Sequence, residues 1–297
     1  MMNLKMLPLL LCLVAVVSCE EAGQFKEGKT LAGKQVSKET LNLGQTTYME
    51  YCVQCHGKNG DGLGVSSAGM WPPPRNFKLG IYKFGNVVSG ELPHDEDFYR
   101  IIRKGLNGTP MLPWDISDKR LDAVTQYIKT FAPEAWEGED KKPGTKYELP
   151  ADPFGEARKA EAIEKGKRAY NITASCIQCH RGYETKADMS AWNKEINKVP
   201  LKSEEFAADL YQLKMQDSDY GYHTMPPDFT YHKVRVSHTT EDIVQRLMYG
   251  VNGSGMPGWK DVVTDEELWA IAYYVQSLKD LRNNPAREEL MNKIEKQ

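Results

Sequence analysis

Apolar residues recur at helical spacing in matching places of the two halves of the chain. Leu121, Val124, Tyr127, Ile128 and Phe131 share one helical face, and Leu268, Ile271, Tyr274, Val275 and Leu278 share its counterpart. Ser117 and Thr264 stand where N-caps belong, and Thr264 with Glu267 has the spacing of a capping box. A further helix is predicted ahead of each, over 97–104 and 241–249. An earlier helix in each half carries a glycine and a tyrosine one turn apart, Gly44 with Tyr48 and Gly166 with Tyr170. A residue without a side chain on such a face lets another helix cross closely. Between the halves, residues 132–158 hold Pro133, Pro143, Gly144, Pro150 and Pro153 amid mixed charges, which reads as a linker partly ordered against one neighbour. Helical patterning around Phe206, Leu210 and Leu213 marks 203–215, within a longer segment peculiar to the second half.

The first apolar run is of another kind. Lys5 precedes about a dozen apolar residues, 6–17, that include Pro8 and end at Ser18-Cys19. A membrane span needs ~20 apolar residues, so this run reads as an export signal over 1–18. Val16-Val17-Ser18-Cys19 resembles the lipobox of bacterial lipoproteins, although that family prefers leucine where Val16 stands. The resemblance implies cleavage before Cys19 and lipid attachment to it; plain secretory cleavage is the alternative. A multiply acylated Cys19 would anchor the protein stably, since one chain binds only marginally. The expected location is a bacterial cell envelope, facing the periplasm, with residues 19–43 as a polar tether.

The 297 residues are enough for about two domains of ~100–200 residues each, and 40% hydrophobic with 27% charged is a globular composition. A formal net charge of −3 argues against a nucleic-acid partner. Six cysteines fall in three close pairs, at 12 and 19, 52 and 55, 176 and 179. A disulfide framework would scatter them. The last two pairs read Cys52-Val53-Gln54-Cys55-His56 and Cys176-Ile177-Gln178-Cys179-His180, and C-x-x-C-H is the attachment sequence of c-type haem. Two thiols a short turn apart can add to two vinyl groups on one porphyrin edge, and the adjoining histidine then lies under the iron. Paired disulfides, redox thiols or a shared four-thiolate zinc site would also use such pairs. None of these explains why a histidine follows both pairs in a chain with six histidines. Two covalent haems are expected, one per half.

Downstream of each motif lies a repeat. Gly105-Leu106-Asn107-Gly108-Thr109-Pro110-Met111-Leu112-Pro113-Trp114 parallels Gly250-Val251-Asn252-Gly253-Ser254-Gly255-Met256-Pro257-Gly258-Trp259. The two glycines, methionines and tryptophans are 145 positions apart, whereas Cys52 and Cys176 are 124 apart, so the second half carries 21 extra residues. Each half resembles a class I cytochrome c. That resemblance implies an all-α fold of two tandem helical domains around one haem each: 44–131 and 159–282, the second with an insertion near 181–228, then a tail over 283–297. It implies His56 with Met111, and His180 with Met256, as the iron ligands. Met70, Met189, Met215, Met225 and Met248 are the competing sulfurs, and His223 beside Met225 a competing imidazole. Pro74 and Pro226 resemble the loop proline whose carbonyl orients the proximal histidine, in a register open by one residue. Trp114, Trp259 and Arg75 are candidates to contact the haem propionates, and both tryptophans could equally be core.

A thioether opposite an imidazole favours ferrous iron and occupies the position a reactive centre would need. The expected role is therefore a dihaem electron carrier. Its partners would be a quinol-oxidising complex or dehydrogenase on one side and a terminal oxidase or reductase on the other. The alternatives are a dihaem enzyme of peroxidase or thiosulfate dehydrogenase type, or a haem subunit of a respiratory complex. No cysteine is left over for the thiolate ligand typical of thiosulfate dehydrogenases.

Overall fold

A computed structural model of the chain describes residues 25–296. The export signal, Cys12 and Cys19 lie outside the described residues. An antiparallel hairpin comes first, β1 (Lys29–Leu31) and β2 (Lys34–Val36), with Lys29 opposite Val36 and Leu31 opposite Lys34. Helix α1 (Lys38–Tyr51) follows, its first turn capped by Ser37 Oγ accepting from the Thr40 N–H, and runs into the single turn α2 (Val53–His56). Next come α3 (Asp95–Lys104), α4 (Asp118–Lys129) and the turn α5 (Pro133–Trp136). The second unit holds α6 (Lys159–Arg168), α7 (Lys186–Asn197), α8 (Thr240–Tyr249), α9 (Asp265–Asp280) and α10 (Ala286–Glu295). The fold is all-α, and the one sheet among the described residues is the hairpin. No described helix is long and apolar enough to cross a membrane.

Each unit has its own core, and each is built on one helix crossing. At Gly44 a Cβ would stand 2.1 Å from the Ala123 carbonyl oxygen, and at Gly166 it would stand 2.0 Å from that of Ala270. Thus α1 crosses α4, and α6 crosses α9, backbone against backbone. Tyr48 and Tyr127 flank the first crossing, Tyr170 and Tyr274 the second. Ser117 and Thr264 both stand at the N-cap positions, but only the second caps with its side chain: Thr264 Oγ1 accepts from the Glu267 N–H, and Glu267 reaches back to the Thr264 N–H, whereas the Ser117 hydroxyl makes no cap bond.

Several expected connections are built into the cores instead. The supposed tether over 19–43 contains the hairpin and the start of α1, because Leu31 and Val36 are buried in the first core. The linker inserts Trp136 into that core and Phe154 into the other. The C-terminal tail is α10, whose Met291 and Ile294 are buried in the second core. Residues 203–215 are not a helix beyond one short turn, Ser203–Glu205. Their polar groups bond elsewhere: the Leu210 carbonyl accepts from the Gly182 N–H, and Lys214 Nζ donates to the Ile177 and Gln178 carbonyls. The insertion thereby braces the second thiol motif.

A buried ion pair ties α3 to α4. Lys129, 2% exposed, donates to Asp95 and to Gln126 Oε1, and its ammonium lies 5.0 Å from the Trp136 ring centroid. Burial alone would raise the Asp95 carboxyl, but the charge and hydrogen bond of Lys129, together with Gln126 and Lys34, outweigh it and hold Asp95 below its ordinary value. Burial also lowers the Lys129 ammonium by more than Asp95 lifts it. Asp95→Asn strands this cation, at a cost of about 3 kcal/mol, the lower end of the range for broken buried pairs because Lys129 can shed its proton. With a lowered folded-state value, the Asp95 contribution is present above the ordinary carboxyl range and lost as pH falls through the lowered one. Denaturant titrations against pH should show both the loss and a flatter acid limb in Asp95→Asn.

Candidate haem sites

The first site begins where α1 ends. The Cys55 and His56 N–H groups both point to the Cys52 carbonyl, at 3.2 and 2.9 Å, so α2 sets the two thiols one turn apart with the imidazole beside them. The ring of His56 stacks on Phe77 at 4.5 Å between centroids and 20° between planes. Its Nδ1 lies 3.1 Å from the Arg75 carbonyl oxygen. A carbonyl can only accept, so Nδ1 carries the proton and Nε2 keeps its lone pair. Burial lowers the His56 pKa, more than the bond to the Arg75 carbonyl raises it, which favours the neutral, ligating form. Burial also pushes the Cys52 thiol up to about 12.

These groups open onto an apolar cleft whose open space is about 1440 Å³, solvent at its mouth included. Its walls include Phe98, Ile102, Val124 and Ile128, and Met111 and Trp114 lie on them. Two free thiols, an imidazole nitrogen with an open lone pair and a thioether therefore share one apolar cavity. That donor set fits a covalently held iron porphyrin.

The second site is built alike. The His180 N–H donates to the Cys176 carbonyl at 2.8 Å, and the His180 ring stacks on Phe229 at 5.1 Å and 17°. Its buried Nδ1 faces the Pro227 carbonyl without reaching hydrogen-bond geometry. Burial brings its pKa down to about 4, and the Cys176 thiol up to about 12. Above each motif a tyrosine hydroxyl closes the turn after the histidine: Tyr48 donates to the Gly57 carbonyl and Tyr170 to the Arg181 carbonyl. One difference is local. The helix into the second motif widens to a π-turn, Ala169–Thr173, before Cys176.

The methionine loops match bond for bond. The Met111 carbonyl accepts from the Leu106 N–H at 2.8 Å and the Met256 carbonyl from the Val251 N–H at 3.0 Å. Thr109 Oγ1 and Ser254 Oγ accept from the methionine N–H groups, and the Trp114 and Trp259 N–H groups bond the Ile102 and Leu247 carbonyls. Gly105 and Gly250 start the loops at φ 65° and 71°, and at either a Cβ would meet the methionine carbonyl within 2.6 Å. Met111 lines the first cavity, and Met256 packs on the second core.

Residues 39–128 and 161–275 match the family described as cytochrome c oxidase, cbb3-type, subunit III. The chain belongs to this family. A solved chain of the reducing HAO-like protein complex of Kuenenia stuttgartiensis is similar, at 30% identity and a TM-score of 0.63, over 80% of this chain and 95% of that one. No curated protein matches. This chain is accordingly a c-type cytochrome with cytochrome c-like domains, covalently bound haem and an electron-transfer role.

With the family known, the sequence-derived sites sort clearly. Cys52, Cys55 and His56 come together, as do Cys176, Cys179 and His180. The four thiols are free and unjoined, and no group of three or more His, Cys, Asp or Glu that could hold a metal ion occurs among the described residues. The carbonyls that face the histidines belong to Arg75 and Pro227, not to Pro74 and Pro226, because the following residue turns toward the ring. Trp114 lines the first cavity and packs on the first core, and Trp259 packs on the second core. Of the competing sulfurs, Met189 and Met248 are core, Met215 and Met225 are exposed, and Met70 alone shares the first cavity with Met111. His223 is exposed and faces Asp217.

Sequence reasoning missed Phe77 and Phe229. Each is the middle residue of an Asx-turn, in which Asn76 Oδ1 accepts from the Lys78 N–H and Asp228 Oδ1 from the Thr230 N–H. The shared signal was visible as Pro-Arg-Asn-Phe and Pro-Pro-Asp-Phe. Asp228 is also buried against Arg181 at 3.0 Å, which locks this loop to the thiol motif.

Proposed function

We propose that this cytochrome holds two haems and shuttles single electrons between a quinol-oxidising complex or dehydrogenase and a terminal oxidase or reductase. The carrying observation is duplication: two thiols on one turn, a histidine stacked on phenylalanine before a backbone carbonyl, and a bond-for-bond methionine loop occur once in each unit. Each haem iron would take up and release one electron. Cys52 and Cys55, and Cys176 and Cys179, would hold the porphyrins by thioether links. His56 and His180 would bind iron through Nε2, and Met111 and Met256 would fill the opposite positions, favouring the ferrous state. The rigid helix crossings hold these donors in place, so little rearrangement would accompany each transfer. An exported chain lipidated at Cys19 and facing the periplasm would stay near its membrane partners.

A second reading is that of a redox subunit in a larger complex. It is favoured by the likeness over 95% of a chain from a reducing complex. Both readings require two haems with closed coordination. Pyridine haemochrome spectra should give two haems per chain, and the reduced protein should form no carbon monoxide adduct at neutral pH. Stoichiometric carbon monoxide binding by the unmodified protein would overturn the carrier reading in favour of an open, enzymatic iron. Co-elution with a partner at fixed stoichiometry would decide for the complex.

A further inference from the structure

The units meet where Asn86 bonds Gln245 and Arg246 of α8, and again at their methionine loops. Asn107 Nδ2 donates to His238 Nδ1 of the second unit at 3.2 Å, and the matching Asn252 Oδ1 accepts from the Gly90 N–H of the first, also at 3.2 Å. Tyr220, from the insertion of the second unit, lies against Gly253 at this seam and bonds the Asn252 carbonyl.

Three cations gather beside the seam on the wall of the first haem cavity: Arg75 and Lys83 from the first unit, and Arg235 from the second. Lys83 and Arg235 hold the same place in the repeat, each six residues after the phenylalanine stacked on a proximal histidine. The Arg75 Cζ lies 3.9 Å from the Tyr220 ring centroid and Lys83 Nζ lies 5.2 Å from it. Among the described residues no carboxylate reaches ion-pair distance of any of the three, and the charges felt most by Lys83 are the other two cations. Burial first, then Arg235 and Arg75, bring Lys83 down to about 7. Half-buried like charges gathered without an anion are costly. The backbone beside Arg235 is costly too. Val236, buried and β-branched, sits at φ 46°, a strained conformation that persists only where the surroundings impose it.

We propose that Arg75, Lys83 and Arg235 form an anion clamp spanning both units for the two carboxylates of the first haem, so that the second unit completes the first unit's pocket and raises its potential. The carboxylates supply the missing negative charge. The cations in turn disfavour the more positive, oxidised haem.

The inference rests on the dihaem reading, and one experiment on the full chain separates the two. Pyridine haemochrome spectra first count the haems, and one haem per chain would overturn the dihaem reading. Potentiometric titration then gives two waves, and Met111→His, which exchanges the first iron's sulfur for nitrogen, marks the wave of the first haem. Arg235→Gln should move that wave to lower potential, and Arg235→Lys, which keeps the charge, should restore most of the shift. Lys83→Gln makes the same test from the first unit should Arg235→Gln fail to load haem. Two haems with an unmoved first wave in the charge-removing variant overturn the clamp. A shift that Arg235→Lys does not restore overturns it as well, since a merely structural role would then explain the change.

Discussion

Gly166→Val is expected to prevent the second unit from folding and from acquiring its haem. The first added atom would already stand 2.0 Å from the Ala270 carbonyl oxygen and 2.6 Å from its carbon, and 2.7 Å from Tyr274 Cβ. These obstacles are mostly backbone of α9 and cannot rotate away. Overpacking ordinarily costs ~1–3 kcal/mol by bending side chains off their rotamers; parting two helices costs more, against a total stability of ~5–15 kcal/mol. The crossing also carries Tyr170, whose hydroxyl bonds the Arg181 carbonyl just beyond the thiol motif, so the loss reaches the haem site. Gly44→Val should do the same to the first unit, where the first atom meets the Ala123 oxygen at 2.1 Å. Gly255→Ala is the control: its Cβ would meet only Gln216 Oε1, at 4.0 Å, and the matching residue of the first loop is Pro110. Thermal melts with haem counts check all three. A Gly166→Val protein with two haems and an unchanged melt would show that the crossing is not what holds the unit together.

Met111→Ala is expected to open the first iron to carbon monoxide and to lower that haem's potential, on the order of 0.1 V or more within the ~0.8 V that axial ligands span. One equivalent of carbon monoxide should bind, one again in Met256→Ala, and two in the double variant. The physical cause is the loss of a thioether that stabilises ferrous iron and excludes exogenous ligands. Met70 also lines the first cavity, so Met70→Ala decides between the two sulfurs. Carbon monoxide binding to Met70→Ala and not to Met111→Ala would make Met70 the donor. Melts of the loaded variants separate ligation from packing: Met111 is only partly buried, so its truncation removes modest apolar contact.

Much of this was legible from residue order because its chemistry is local. Cys52 to His56 and Cys176 to His180 are bound by one turn of chain. Methionine loops with glycine, asparagine and threonine or serine at set offsets encode their own hydrogen bonds, and they recur 145 positions on. Helix periodicity likewise named the faces of α4 and α9. Reading failed where a segment's fate rests on distant partners. Residues 19–43 look polar and tether-like, yet Leu31 and Val36 find a core with α1 and α4. The C-terminal segment becomes α10 because Met291 and Ile294 find the second core. Residues 203–215 carry a helical pattern, but their backbone and Lys214 bond the thiol motif instead.

By itself the sequence determined the thiol–imidazole motifs, the repeat of the methionine loop and the main helix faces, since these depend on spacing within one helix, turn or loop, and through its resemblance to class I cytochromes c it implied the all-α class. Only the tertiary structure decided which carbonyl meets each histidine, with Arg75 and Pro227 displacing the prolines by one residue, and that Phe77 and Phe229 stack on the rings. It alone brought Arg235 of the second unit to the first unit's cavity beside Lys83 and Arg75. The physical reason is that a side chain's charge is fixed by its type, whereas the electrostatic environment it meets is set by the fold, across 152 positions of chain in the case of Lys83 and Arg235.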